Sequence, residues 1–296
     1  MIKLLDQKNY KKQDVLKKMY DDSYYYGTLG QLALSSSSLK LLLDSPKKYA
    51  YVSQYGSPES QALRDGSLVH LAILEPDKFQ EQIFVDVASK NTKAYKEAVA
   101  KHGQVFTRVE KQNAEKVADA IFRNEQALQL ITNCEFEVPA IGDIYGNSNV
   151  PYPFRGKADV LSNKGIVDLK TTSGGIKNFY HSAKKYLYSV QCYIYCQLFD
   201  VTYDQFKFLV VDKGSLDIGI FECSEEFYKD GEELTKKAID IYETFFVNGA
   251  DLDDYIITGT LSPAVLYPSC LATMINTPSP KSSITGSANL LSPNPS

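Results

Sequence analysis

Ser162-Asn163-Lys164-Gly165-Ile166-Val167-Asp168-Leu169-Lys170 is the stretch on which the fold of this chain turns. Its β-branched run after a turn of Ser, Asn and Gly predicts a strand entered from a hairpin. Alternation puts Asp168 and Lys170 on one face of that strand and Val167 and Leu169 on the other, against a packing layer. A hairpin centred on Asn163-Lys164 sets Asp159, in the preceding strand, directly opposite Asp168. Two carboxylates so paired have Cβ atoms about 5 Å apart and repel. Hard oxygen donors of this kind suit Mg²⁺ or Mn²⁺, and Lys170 supplies only part of the counter-charge. For an isolated Asp-x-Lys an ordinary surface ion pair is the commoner outcome; convergence with a neighbouring carboxylate shifts the balance.

Working outward, Glu135 to Val138 and Phe154 to Val160 also alternate, giving a meander of three strands. A count across the loop near Ser148 brings Glu137 towards Asp159, with Glu135 competing for the same place. Further strands are predicted at Phe206 to Val211 and Asp217 to Glu222. Helices are predicted from the Ser35–Ser38 cap to Ser45-Pro46, over Ser60 to Glu75, Arg108 to Ile131, Lys184 to Phe199 and Glu225 to Phe246. The expected class is α/β (α+β), a central mixed sheet flanked by helices.

Two helices carry polar residues on apolar faces. Tyr188, Gln191 and Tyr195 fall at i, i+3 and i+7 amid Val190, Ile194 and Leu198. Both a satisfied core network and a DNA-contacting stripe fit that spacing. His70 sits one turn from Gly66 among Leu63, Leu68, Val69 and Ile73. A lone histidine on such a face is usually a core residue, but a glycine costing about 1 kcal/mol inside a helix suggests a close approach, and a ligand role for His70 gains weight.

Composition sets wider bounds. The chain has 296 residues, 44% hydrophobic and 12% aromatic, enough for a packed core. Its net charge of −4 gives no general attraction for nucleic acid, so DNA contact would need local basic patches. Lys3, Lys8, Lys11, Lys12, Lys17 and Lys18 form such a cluster, read either as a phosphate-contacting arm or as a solvated helix face. Five cysteines without a CxxC pair argue against a disulfide framework or structural zinc, and Cys192 and Cys196 are read as core thiols. No apolar run approaches the roughly 20 residues of a membrane span, and the Lys-rich start does not fit a signal peptide, so a cytoplasmic location and no membrane partner are expected.

Gly66-x-x-x-His70, Gly156-Lys157-Ala158-Asp159, Asp168-Leu169-Lys170 and Tyr188-x-x-Gln191-x-x-x-Tyr195, in that order, resemble the PD-(D/E)XK nuclease superfamily, and more narrowly the nuclease domain of exodeoxyribonuclease VIII (RecE) and its phage relatives. The opening Ser35-x-x-Ser38-Leu39 to Ser45-Pro46-x-x-Tyr49 is similar to that family's entry signature. The resemblance implies a restriction-endonuclease-like core and Mg²⁺-dependent digestion of linear double-stranded DNA, 5′ to 3′, leaving 3′ overhangs for recombination. It implies a single-strand annealing partner protein and a homo-oligomer. By the same analogy His70, Asp159 and Asp168 would hold metal, Lys170 would assist the attacking water, and Gln191 and Tyr195 would position DNA; Glu137 is a weaker candidate for the family's additional acidic residue. The expected division is an N-terminal arm over 1–34, a nuclease domain over 35–267 and a disordered tail over 268–296. A restriction- or repair-type endonuclease and a catalytically silent DNA-binding module are the rival readings. Lys170, partly desolvated beside the metal and with cationic neighbours, would have a depressed pKa and serve as a proton acceptor or as a fixed charge on the scissile phosphate.

Overall fold

The computed structural model describes residues 1–257, and the elements below lie in one unit, Met1–Tyr255. The expected tail over 268–296 lies outside the described residues. The centre is a five-stranded sheet in sequential order: β1 (Glu135–Tyr145), β2 (Pro151–Ser162), β3 (Gly165–Thr172), β4 (Phe206–Asp212) and β5 (Ile218–Glu222). All neighbours are antiparallel except β3 and β4, which run parallel. The sheet is therefore mixed, as its sequence pattern predicts.

Seven helices matter for the site: α1 (Ser36–Asp44), α2 (Gln61–Leu74), α3 (Arg108–Arg123), α4 (Glu125–Ile131), α5 (Phe179–Lys185), α6 (Tyr188–Phe199) and α7 (Glu225–Tyr242). One face of the sheet packs Phe154, Ala158, Ile166, Phe206, Phe208 and Val210 against α1, α6 and α7. The other packs Val160, Val167, Leu169, Leu209 and Val211 against α2, α3 and α4. The helix starts follow from capping chemistry. Ser35 and Ser38 cap α1 reciprocally, Thr107 and Glu110 do the same for α3, and Ser224 caps α7; each such side chain contributes about 1 kcal/mol.

Two predicted helices are broken. The run from Arg108 to Ile131 divides at Asn124, whose side chain accepts from Ala127 N–H and starts α4. The run into Phe199 divides at Leu187, which adopts a left-handed backbone (φ 50°) between α5 and α6. Helices at Pro46–Tyr55 and Lys93–His102 were not anticipated; Pro46 occupies a first-turn position and begins a helix where the sequence pattern suggested only an end.

The N-terminal residues are no free extension. Ile2, Leu4, Val15, Met19, Tyr25, Leu29 and Ala33 are buried together with Ile141 of β1. The six clustered lysines before residue 20 are all exposed, and Lys18 lies over the Tyr24 ring at 5.7 Å. Among the described residues no helix is long and apolar enough to cross a membrane.

Candidate active site

The β2–β3 hairpin has the predicted register, with Val160 opposite Val167, Leu161 opposite Ile166 and Ser162 opposite Gly165. Gly165 takes φ +121°, and a Cβ there would stand 2.0 Å from the Gln205 carbonyl oxygen, so only glycine fits this turn. The pairing then stops one step short of Asp159 and Asp168, contrary to the directly opposed pair that the register alone implies. Ala158 packs in the α6 layer and Val160 in the α2 layer, although strict alternation would put both on one face. The strand is irregular at Asp159. Its carboxylate turns into the gap, where Oδ2 accepts from Leu169 N–H at 2.7 Å, standing in for the missing ladder bond.

Opposite the same irregularity, Glu137 adopts φ 52° within β1, between the regular pairs Phe136–Val160 and Val138–Ala158. A left-handed glutamate inside a strand is strained, and such strain collects at functional sites. The result is a cluster. His70 of α2, Glu137 of β1 and Asp159 of β2 each offer a ligand atom, all within 4.8 Å of one another, with His70 Nδ1 3.7 Å from Asp159 Oδ2. Glu135, the competitor of Glu137, pairs with Leu161 and is not in the cluster.

Asp168 and Lys170 occupy the other side of the gap, and Asp168 is outside that cluster. Asp168 is 1% exposed; its Oδ1 accepts from Gln191 Nε2 of α6 at 2.5 Å, and its Oδ2 forms an ion pair with Lys170. Gln191 and Tyr195 are both buried, and Tyr195 donates to the Lys157 carbonyl at 3.1 Å. Their polar atoms are therefore engaged with β3 and β2, the strands carrying the acidic residues, rather than with an open surface. Gly66 also differs from expectation: a Cβ there would meet nothing nearer than Thr171 Oγ1 at 3.8 Å, an ordinary contact, so no close approach accounts for it.

Protonation behaviour separates the two sides. Burial and the Asp159 charge push Glu137 up to about 8, against a weaker opposing pull from Lys157. Burial likewise raises Asp159, with His70 pulling the other way and Asp168 adding to the rise. Burial alone would lower Lys170, but Asp168 and Asp159 outweigh it and the net shift is upward. These carboxylates hold Lys170 charged; the depression expected of it belongs to a site in which a metal cation is also bound. A lysine absent from the sequence-derived site is present too. Lys40 of α1 lies over the Tyr188 ring, and burial together with the Lys170 charge pushes it down to about 7.

A mixed sheet between helical layers, with Asp and Asp-x-Lys meeting where two strands part, defines the PD-(D/E)XK nuclease superfamily. The chain belongs to the family described as PDDEXK-like domain of unknown function (DUF3799), whose model matches residues 35–248. No curated protein matches it. It is similar to the crystal structure of a protein from Eubacterium rectale described as a "putative exonuclease", 14% identical, with 83% of this chain and 97% of that one covered and a TM-score of 0.56. At that identity the likeness shows the fold. A second structure, SSO0001, is 14% identical over 80% of this chain and 88% of its own, at a TM-score of 0.37.

Proposed function

We propose that this chain is a metal-dependent exodeoxyribonuclease that digests linear double-stranded DNA, 5′ to 3′, leaving 3′ single-stranded overhangs. One observation carries the nuclease reading: a His–Glu–Asp cluster within 4.8 Å faces an Asp168–Lys170 pair across the point where β2 and β3 separate. The end-dependence and polarity rest on the motif resemblance to exodeoxyribonuclease VIII.

The residues fit a divalent cation. Glu137 is a half-buried carboxylate whose proton is held towards neutral pH by burial and the Asp159 charge, more than Lys157 at 3.8 Å offsets, and with His70 and Asp159 it offers a nitrogen-and-oxygen donor set within 4.8 Å. His70, Glu137 and Asp159 would hold Mg²⁺ or Mn²⁺, with Asp168 the further carboxylate on the opposite side. Such an ion, when bound, acidifies water, neutralises phosphoryl charge and stabilises the leaving oxygen. The chain's own residues do the rest. Lys170, kept charged, places a fixed ammonium against the scissile phosphate. Asp168 anchors that ammonium, Gln191 anchors Asp168, and Tyr195 ties β2 to α6, so each group is held by one behind it.

The test is digestion of linear and circular duplex DNA in Mg²⁺ or in EDTA, with label at each end in turn. Loss of linear DNA alone, from 5′ ends and only with the ion, is expected. Cutting of the circle would assign an endonuclease instead, and no cutting together with no heat on Mn²⁺ titration would assign a silent binding module.

A further inference from the structure

Lys40 and Lys170 come from different elements, α1 and β3, yet their ammoniums lie 4.9 and 5.1 Å from the centre of one ring, that of Tyr188. Only Lys170 has a carboxylate: Asp168 pairs with it and is also bonded to Gln191. Among the described residues Lys40 has neither an ion pair nor a hydrogen bond to its ammonium. A neutral ring offers a cation about 1 kcal/mol, far less than an unpaired charge loses on leaving water. The lysine side of the gap thus holds two cations against one carboxylate that is already engaged. The opposite side holds Glu137 and Asp159 against one histidine and Lys157, which stands 3.8 Å from Glu137 but is bonded to Asp22 at 2.6 Å. Positive charge left over beside a nuclease centre calls for an anion, and a DNA strand carries phosphates in series.

We propose that Lys40 is a second phosphate-binding residue of this site, gripping a backbone phosphate of the cut strand next to the one that faces Lys170. This rests on the nuclease reading above and extends it from the scissile phosphate to its neighbour. The surface next to Tyr188 suits a strand running along it. Tyr186, half exposed, stands 5.9 Å from Tyr188, and Lys185 lies over the Tyr186 ring at 5.2 Å. Exposed aromatic faces beside lysines accept bases and backbone without regard to sequence. A lysine acts on phosphate as a point charge, so the contact adds affinity and salt dependence rather than sequence preference.

The experiment compares wild type with Lys40→Met and Lys40→Arg, measuring binding of a labelled linear duplex by fluorescence anisotropy in EDTA across a salt series. Lys40→Met is expected to bind about tenfold more weakly at low salt, with the log–log salt slope shallower by about 0.9, the loss of one phosphate contact. Lys40→Arg should restore both. In Mg²⁺ the Met variant should raise KM about tenfold while kcat changes less than threefold, and its melting temperature should match or exceed that of wild type, since a desolvated charge has been removed. A wild type that binds while Lys40→Met binds equally well, with the same slope, overturns this proposal alone. So does a Met variant that melts well below wild type, which would make Lys40 a structural residue. A wild type that neither binds nor digests duplex DNA overturns the nuclease reading itself.

Discussion

The two sides of the gap between β2 and β3 are built from similar side chains but carry opposite surplus charge. On the α2 side His70, Glu137 and Asp159 crowd within 4.8 Å, and the one lysine near them, Lys157 at 3.8 Å from Glu137, is bonded to Asp22 at 2.6 Å, so burial and the Asp159 charge drive Glu137 towards its neutral form. On the α6 side Lys170 and Lys40 share the Tyr188 ring and Asp168 pairs with Lys170 alone, so one lysine is held charged and the other is pushed towards neutrality. A carboxylate cluster with too little positive charge and a lysine pair with too little negative charge, on the two sides of the gap, are complementary to a divalent cation and a phosphate. Neither half alone would distinguish a nuclease from an ordinary surface ion pair; the asymmetry does.

The strongest way to break that comparison is to remove one half and leave the other. Lys170→Ala should reduce digestion of end-labelled duplex by about 10³-fold, the scale of losing a fixed charge on a transition-state oxygen. Its Mn²⁺ affinity, measured by calorimetry, should stay within a few-fold of wild type; an undiminished cleavage rate would remove Lys170 from the chemistry.

The next effect is one of pH. Glu137 has a folded value of about 8 against an ordinary 4.5, so between those values the folded chain holds a proton that the unfolded chain releases. The stability this contributes is complete below pH 4.5 and is lost as pH rises through about 8. Denaturant melts in EDTA should therefore show stability declining over that window, and Glu137→Gln should flatten the decline. A Gln variant with the wild-type pH profile would show that Glu137 is not the group responsible.

Smaller changes sharpen the picture of what holds the site. Tyr195→Phe removes one buried donor to the Lys157 carbonyl and should cost about 1 kcal/mol in urea unfolding, with a modest effect on rate. Gly66→Ala should be tolerated and should stabilise the metal-free chain by up to about 1 kcal/mol, because a Cβ there meets only Thr171 Oγ1 at 3.8 Å. A destabilised Ala variant would mean that α2 sits closer to β3 than this packing allows.

Much of this was legible in the residues, for identifiable reasons. Turn chemistry around Ser162 to Gly165 sets the hairpin register, and period-two patterning separates Ile166 from Val167 and Leu169 into the two packing layers. What resisted reading was local departure from those rules. Register arithmetic assumes an unbroken ladder, whereas β2 is irregular at Asp159, so the carboxylate bonds to Leu169 N–H instead of standing opposite Asp168. Glu137 could not be chosen over Glu135 because a left-handed backbone inside a strand has no signature in that sequence. Asn124 did carry a signal, an N-cap residue within a helical run, while Leu187 carried none. Lys40, set in the apolar run Leu39-Lys40-Leu41-Leu42-Leu43, was visible only once α1 and α6 were brought together.

Calorimetric titration of Mn²⁺ into wild type and Asp159→Asn tests the centre of the account most directly, because Asp159 both completes the cluster and bridges to β3. Saturable heat in the wild type that disappears, or weakens by at least about 100-fold, in the Asn variant is the predicted result. Equal heats in the two proteins, or none in the wild type, would contradict it.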